Sequence, residues 1–235
     1  PENRVFPRAA YDFSSVFYRP RGYQSNAATV LVNGVLMNKV ETGRPQWSNW
    51  GGLNDATRSN VITTGVGASE DDFGGVFGSN VMTIAPSELR NGLRISGTTT
   101  NRNYFGRAMV TYNTGTLPSG WGYMVSGSYR GGNGRTWLVP SVEGMVYQSY
   151  GISAAVEYKA SPYFTTNLMG IFSYNNRGKS APLTQEAISL GGRNYNPNWG
   201  FQGDHIRNSK MKRISEPLFV LSNTYHKGDT NIALH

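Results

Sequence analysis

Cysteine is absent from the 235 residues, which removes disulfides, thiolate metal sites and a thiol nucleophile together. Charge is scarce as well: 15% of residues are Asp, Glu, Lys or Arg, against roughly 25% in an ordinary soluble domain. No apolar run approaches the roughly 18 residues that a membrane helix needs, so any insertion into a bilayer must be made by strands. The three histidines, His205, His226 and His235, are dispersed and carry no metal-ligand spacing. No Ser/His/Asp set and no carboxylate pair stands out, so the expectation is a protein that is not an enzyme and needs no cofactor or metal. The chain opens at Pro1 without an initiator methionine or an apolar signal segment, and it stops inside an alternating stretch, Asn231 to His235. Both ends look cut, which predicts an incomplete piece of a longer protein.

What is present is alternation. Tyr150, Ile152, Ala154, Val156 and Tyr158 share one face of a strand, and Gly151, Ser153, Ala155, Glu157 and Lys159 share the other. Trp121, Tyr123, Val125, Gly127 and Tyr129 repeat the arrangement, as do Tyr104, Gly106, Ala108, Val110 and Tyr112. Each apolar face begins and ends in an aromatic ring eight positions apart. Tilted by about 40°, such an interval spans some 20 Å along a membrane normal, close to the apolar band of an outer-membrane barrel. A soluble sandwich also alternates, but it gives no reason to set rings at strand ends with small aliphatics between them. A ring with one wet edge and one dry edge does.

Along the chain the elements change in scale. Ala28 to Val35 is β-branched and holds an Asn33-Gly34 turn; Glu41 to Gly52 reads as an exposed loop; Leu53 to Ser59 predicts a short helix; Val61 to Thr64 and Val81 to Ile84 predict short strands. From Gly92 on, long strands are joined by connections of alternating length: tight at 114–120, 160–162 and 226–229, long at 131–148 and 176–212, with a short turn at Asn101 to Asn103 as the exception. About seven strands are expected, a number that does not close in the even-stranded single-chain class.

Arg19-Pro20-Arg21-Gly22-Tyr23, Val30-Leu31-Val32-Asn33-Gly34-Val35, Gly51-Gly52-Leu53-Asn54-Asp55-Ala56-Thr57-Arg58 and Phe73-Gly74-Gly75-Val76-Phe77-Gly78 resemble, in order and spacing, the successive motifs of the plug in TonB-dependent outer-membrane receptors. Gly92-Leu93-Arg94-Ile95-Ser96, Asn101-Arg102-Asn103-Tyr104 and Val110-Thr111-Tyr112-Asn113-Thr114-Gly115 resemble the family's first barrel strands. Thr184-Gln185-Glu186-Ala187 and Tyr195-Asn196-Pro197-Asn198-Trp199-Gly200-Phe201 resemble the Bacteroidetes-type members. The resemblance implies an all-β dominated fold, a transmembrane antiparallel β-barrel of about 22 strands in the full protein with a small α+β plug in its lumen. Residues 1–89 would then be the C-terminal part of the plug and 90–235 the first barrel strands with their extracellular loops. It implies active import of a scarce ligand across a Gram-negative outer membrane, driven by TonB through a segment missing here. Partners would be outer-membrane lipid and lipopolysaccharide, a nutrient ligand of open class and, in some relatives, a surface lipoprotein. Two other classes stay open: a small outer-membrane barrel serving as adhesin or structural protein, and a secreted carbohydrate-binding β-sandwich.

By position in the resemblance, ligand would meet Tyr23, Arg44, Trp47 and Trp50 in the plug and Arg135, Trp137, Tyr195 and Trp199 in the barrel loops. Aromatic and Arg side chains suit sugars, peptides or chelates through stacking and charge-assisted bonds. The plainer reading of Trp47 and Trp50 is that they pack the plug against the wall. Arg94, Arg107 and Arg130 are expected to point into the lumen, with Glu70, Asp71, Asp72 and Glu88 as candidate plug partners; solvated arginines in a wet lumen are the alternative. Phe73 to Gly78 lacks the Lys-Ser/Thr of a phosphate loop, and Glu70-Asp71-Asp72 lacks the ligand spacing of a calcium loop. The +8 formal charge is scattered, clustering only at Arg207 to Arg213, so it reads as a cationic loop facing anionic lipopolysaccharide and not as a nucleic-acid surface.

Overall fold

The computed structural model describes residues 27–63, 78–99, 104–132 and 142–235. Tyr23, Glu70, Asp71, Asp72, Arg135 and Trp137, and the turn at Asn101 to Asn103, lie outside the described residues. Two layers carry the architecture. A small N-terminal sheet packs against one face of a large antiparallel sheet.

The small sheet comprises β1 (Thr29–Val32), β2 (Val35–Leu36), β3 (Ser59–Ile62) and β4 (Ser79–Thr83), in the order β2-β1-β4-β3. Asn33 (φ 48°) and Gly34 (φ 80°) both take positive φ between β1 and β2, the two-residue turn that an Asn-Gly pair adopts at least cost. β1 runs parallel to β4, and β3 antiparallel to it. Two expectations are corrected. Leu53 to Ser59 is a sequence of turns, not a helix: one bond of helical span, from Thr57 N–H to the Leu53 carbonyl, is made before the chain enters β3, and Asn54, Asp55 and Thr57 disfavour prolonging it. Glu41 to Gly52 is not wholly exposed either, because a 3-10 turn at Trp47–Asn49 carries Asn49 and Trp50 into the interior.

The large sheet comprises β5 (Gly92–Thr99), β6 (Gly106–Thr116), β7 (Trp121–Gly132), β8 (Tyr147–Ser161), β9 (Phe164–Gly178), β12 (Met211–Ile214), β13 (Leu218–Lys227) and β14 (Thr230–Leu234). β12 and β13 lie along the same edge of β9, broken at Ser215, Glu216 and Pro217, whose last member has no N–H to give the ladder. Read as one interrupted strand, they bring the sheet to the expected seven. The long connection after β9 holds a short helix, α1 (Gln185–Gly191), and a hairpin, β10 (Trp199–Gln202) with β11 (His205–Asn208), neither of which the sequence reading anticipated. No helix among the described residues is long and apolar enough to cross a membrane.

The two faces of the large sheet are inverted relative to a soluble one. Thr111, Ser126, Ser153 and Glu157 are buried, while Val125, Ile152, Phe172 and Phe219 on the opposite side stand 49–75% exposed. Among the described residues the apolar face therefore meets no second sheet, as a sandwich would require. Its rings form two tiers: Trp121 beside Tyr158 with centroids 4.5 Å apart, and Tyr129 beside Tyr150 at 5.1 Å. Tyr104 departs from the expected face. β6 starts only at Gly106, and the Tyr104 ring turns inward to Tyr147, 5.5 Å away.

Candidate functional site

The buried face of the large sheet receives the small sheet through a mixed core. Val30, Val32, Trp50, Leu53, Ala56, Met82, Ile84 and Leu89 pack on Met124, Ala155, Met169, Ile171 and Val220. Around this apolar patch, side chains of the large sheet reach out to two stretches of the small layer. Asn113 Nδ2 donates to the carbonyls of Pro86 and Leu89, 2.9 Å each, and Asn167 Nδ2 donates to that of Ile84 at 2.9 Å. At the other stretch, Asn175 Nδ2 (2.9 Å) and Ser173 Oγ (3.2 Å) donate to the Ser48 carbonyl. Arg130 Nη2 donates to the Gly51 carbonyl at 2.6 Å and to Ser149 Oγ at 2.8 Å. Five side chains from three strands thus grip backbone carbonyls, so what they recognise is the path of the chain and not its side chains.

Two carboxylates complete the contact. Glu157, 2% exposed, accepts from Ser87 Oγ at 2.7 Å, with Lys159 Nζ 4.0 Å from its other oxygen. Glu216, at the break between β12 and β13, accepts from Lys39 Nζ at 2.6 Å and from Asn49 Nδ2 at 3.0 Å. The interruption by Pro217 is what frees Glu216 to turn toward the small layer. Asn113 Oδ1 and Asn167 Oδ1 are buried and accept no hydrogen bond from the described residues.

The three arginines expected on this face are there, each with a different partner. Arg94 Nε lies 3.4 Å from Asp55 Oδ1, a carboxylate in the turn after Leu53 that the sequence reading did not single out. Arg107 Nη2 donates to Thr98 Oγ1 at 3.1 Å within its own sheet. Arg130 sits among carbonyl, hydroxyl and amide acceptors, with its guanidinium carbon 5.6 Å from the Tyr147 ring and 5.8 Å from that of Tyr104. Glu88 is exposed and forms none of these ion pairs.

The candidate ligand residues separate into two places. Trp47, about half exposed, meets the buried Trp50 edge-on at 5.7 Å, both held on the inner face by the bonds to Ser48 and Gly51; Arg44 is exposed on the same segment. Trp199 and Tyr195 belong to the long connection after β9. There Asn196, Asn198 and Asn208, all buried, direct their side-chain amides at the Lys179 carbonyl (3.3, 3.1 and 2.9 Å). Asn196 and Asn208 also reach the carbonyls of Glu143 and Gly144, 2.7 and 2.9 Å away, tying this connection to the one before β8. The Asn-Pro-Asn motif is therefore a clasp, and Trp199 is carried on its outward side. Sequence reasoning missed Asn113, Asn167, Asn175 and Glu216. The available signal was polar side chains of low strand propensity repeating on one side of otherwise regular strands.

No protein-family model matches the chain, and no curated protein does. Among solved structures it is similar to the crystal structure of the siderophore receptor PiuA from Acinetobacter baumannii, with a TM-score of 0.61 at 15% identity over 92% of this chain and 29% of that one. At that identity the likeness is one of fold, and this chain spans less than a third of the receptor. A second likeness, to BamA from Haemophilus ducreyi lacking POTRA domains 1-3, has a TM-score of 0.25 at 9% identity over 86% of this chain and 44% of that one, too slight to argue from.

Proposed function

We propose that the chain is part of an outer-membrane receptor of the TonB-dependent kind, in which residues 27–89 belong to a plug and the large sheet to the wall of a barrel around it. The observation that carries this reading is the inverted sheet: the apolar side, bounded by two tiers of rings, is left uncovered, while the polar side grips the small layer. A bilayer is the solvent that makes the first arrangement favourable, since every apolar side chain placed in water on that face forfeits its transfer free energy. The grip on backbone carbonyls suits the second. Bonds to carbonyls, about 1 kcal/mol net each from the neutral Asn and Ser donors and about 1.5–3 kcal/mol from Arg130, hold a plug and still release it under an applied pull. The fold likeness to a siderophore receptor supports the same assignment.

In this reading the protein binds and admits a scarce nutrient and carries out no chemistry on it, with energy delivered by TonB. The motifs at 184–187 and 195–201 favour the Bacteroidetes-type branch. Trp47, with Arg44 beside it, is the inner-face aromatic best placed to touch a ligand above the plug. Within these 235 residues no native thiol competes for a label. Single cysteines at Ile152 and Ser153, labelled with a polarity-sensitive dye in the native polypeptide in vesicles, are expected to differ: the first is quenched by spin-labelled lipid, the second is not. Equal quenching at both positions refutes the wall assignment.

A further inference from the structure

Above the tier of Tyr129 and Tyr150 the large sheet continues, and its outward side changes character. Tyr174 faces Tyr150 across the β8–β9 ladder, and Asn176, two residues or about 7 Å further on, faces Arg213. Arg213 and Met211 lie on the side opposite Lys212 and the buried Ile214, and therefore outward. The β10–β11 hairpin folds over this outward side. Asn208 fixes it to the Gly144 carbonyl, and a side chain at Gly178 would collide with that carbonyl. The result is an open cleft of about 520 Å³, with Trp199, Ile206, Val146 and Met211 as apolar wall and Arg207 and Arg213 as its cations. Among the described residues no carboxylate lines it, and the Arg207 guanidinium is steered by a hydrogen bond to the Gln202 side-chain oxygen.

We propose that this cleft binds the phosphorylated saccharide headgroup of an outer-leaflet glycolipid. The inference rests on the outer-membrane reading above and adds a site to it. A nutrient in transit passes the inner face, whereas this cleft opens on the opposite side, one step beyond the rings that mark the headgroup level. Two guanidinium groups without a carboxylate neighbour present the fork that phosphate oxygens match. Trp199, Ile206 and Met211 offer flat apolar surface to sugar rings and the first carbons of the acyl chains.

The test uses the native polypeptide purified from outer membranes in mild detergent, with retained lipid read by native mass spectrometry and phosphorus content. Wild type is expected to retain a phosphorylated glycolipid through gel filtration. Arg207→Gln with Arg213→Gln is expected to weaken retention on the order of a hundredfold, from the loss of two charge-assisted contacts. The Arg207→Lys, Arg213→Lys pair restores part of it, and the unchanged heat-modifiable migration of a folded barrel shows that the loss is local. Inorganic phosphate as competitor is expected to leave the lipid in place; displacement by phosphate alone overturns the glycolipid assignment in favour of a free anion. Equal retention by wild type and the glutamine pair overturns the site. A wild-type chain that fractionates away from the outer membrane overturns the membrane reading itself.

Discussion

Placing one arginine at successive depths on the uncovered face distinguishes lipid from water directly. Ala154 lies four residues from both Tyr150 and Tyr158, midway between the two tiers of rings, and its ladder neighbours on that face are Val125 and Gly170, with Tyr112 and Phe219 beyond them. None of these offers a carboxylate. Ala154→Arg is therefore expected to cost about 2–4 kcal/mol if the face lies at the middle of a bilayer, Ile152→Arg less, and Tyr150→Arg about 0–1 kcal/mol at the headgroup level. In water the order vanishes, since an exposed strand position accepts arginine with a change within about 0.5 kcal/mol. The assay is reversible urea unfolding of the native polypeptide from lipid vesicles, followed by tryptophan fluorescence. A flat profile across the three positions, or one that peaks at Tyr150, refutes the assignment of this face to lipid.

The interface between the layers yields three further expectations. Asn113→Ala leaves the carbonyls of Pro86 and Leu89 without their donor and is expected to cost about 1–3 kcal/mol, with faster amide exchange confined to residues 84–89. Leu53→Ala, at a side chain with no exposed surface, empties part of the mixed core and is expected to cost about 2–5 kcal/mol by denaturant titration. Gly52→Ala combines a φ of 95° with a Cβ 2.7 Å from Arg130 Nε, so it is expected to break the Arg130 bond to Gly51; a loss under about 1 kcal/mol in the same titration would show that the local chain relaxes freely.

How far the sequence reveals this arrangement depends on the kind of signal. The two-residue period of the long strands is set by backbone pleat alone, so it specifies which face holds Ile152 and which holds Glu157 before any tertiary contact is known. The Asn33-Gly34 turn is equally local. Tyr104 fails because its face depends on where β6 begins, and that start is decided by the neighbouring strand. Leu53 to Ser59 fails because so short a segment, with Asn54, Asp55 and Thr57 in it, gains too little from local bonds to hold a helix. The asparagines of the seam show in the sequence as polar side chains on one face, but what they bind does not. Their acceptors are carbonyls distant in sequence, and a carbonyl leaves no mark in the composition. The pairing of Arg94 with Asp55 was hidden in the same way, since nothing near Arg94 in the chain announces its partner.

The choice of carbonyls as acceptors has a mechanical consequence. An ion pair between two side chains strengthens as water is excluded, and breaking one of its partners away strands a charge, at a cost of about 3–5 kcal/mol when the pair is buried. An asparagine amide released from a carbonyl takes up water instead, and the loss is about 1 kcal/mol. The inner face of β6 and β9 uses bonds of the second sort at 48 and 84–89, Arg130 of β7 adds a charged donor at Gly51, and among the described residues carboxylates enter the contact through Glu157 of β8, Glu216 and Asp55. Lys39 and Glu216 keep 39% and 40% of their side-chain surface in solvent, so that pair too parts without stranding a dry charge, whereas the buried Asp55 keeps Arg58 at 3.3 Å when Arg94 leaves. Apart from the buried Glu157 and Asp55, the layer is thus held by contacts that are each inexpensive to lose in sequence, which is what the proposed reading requires of a unit displaced by a pull from one end.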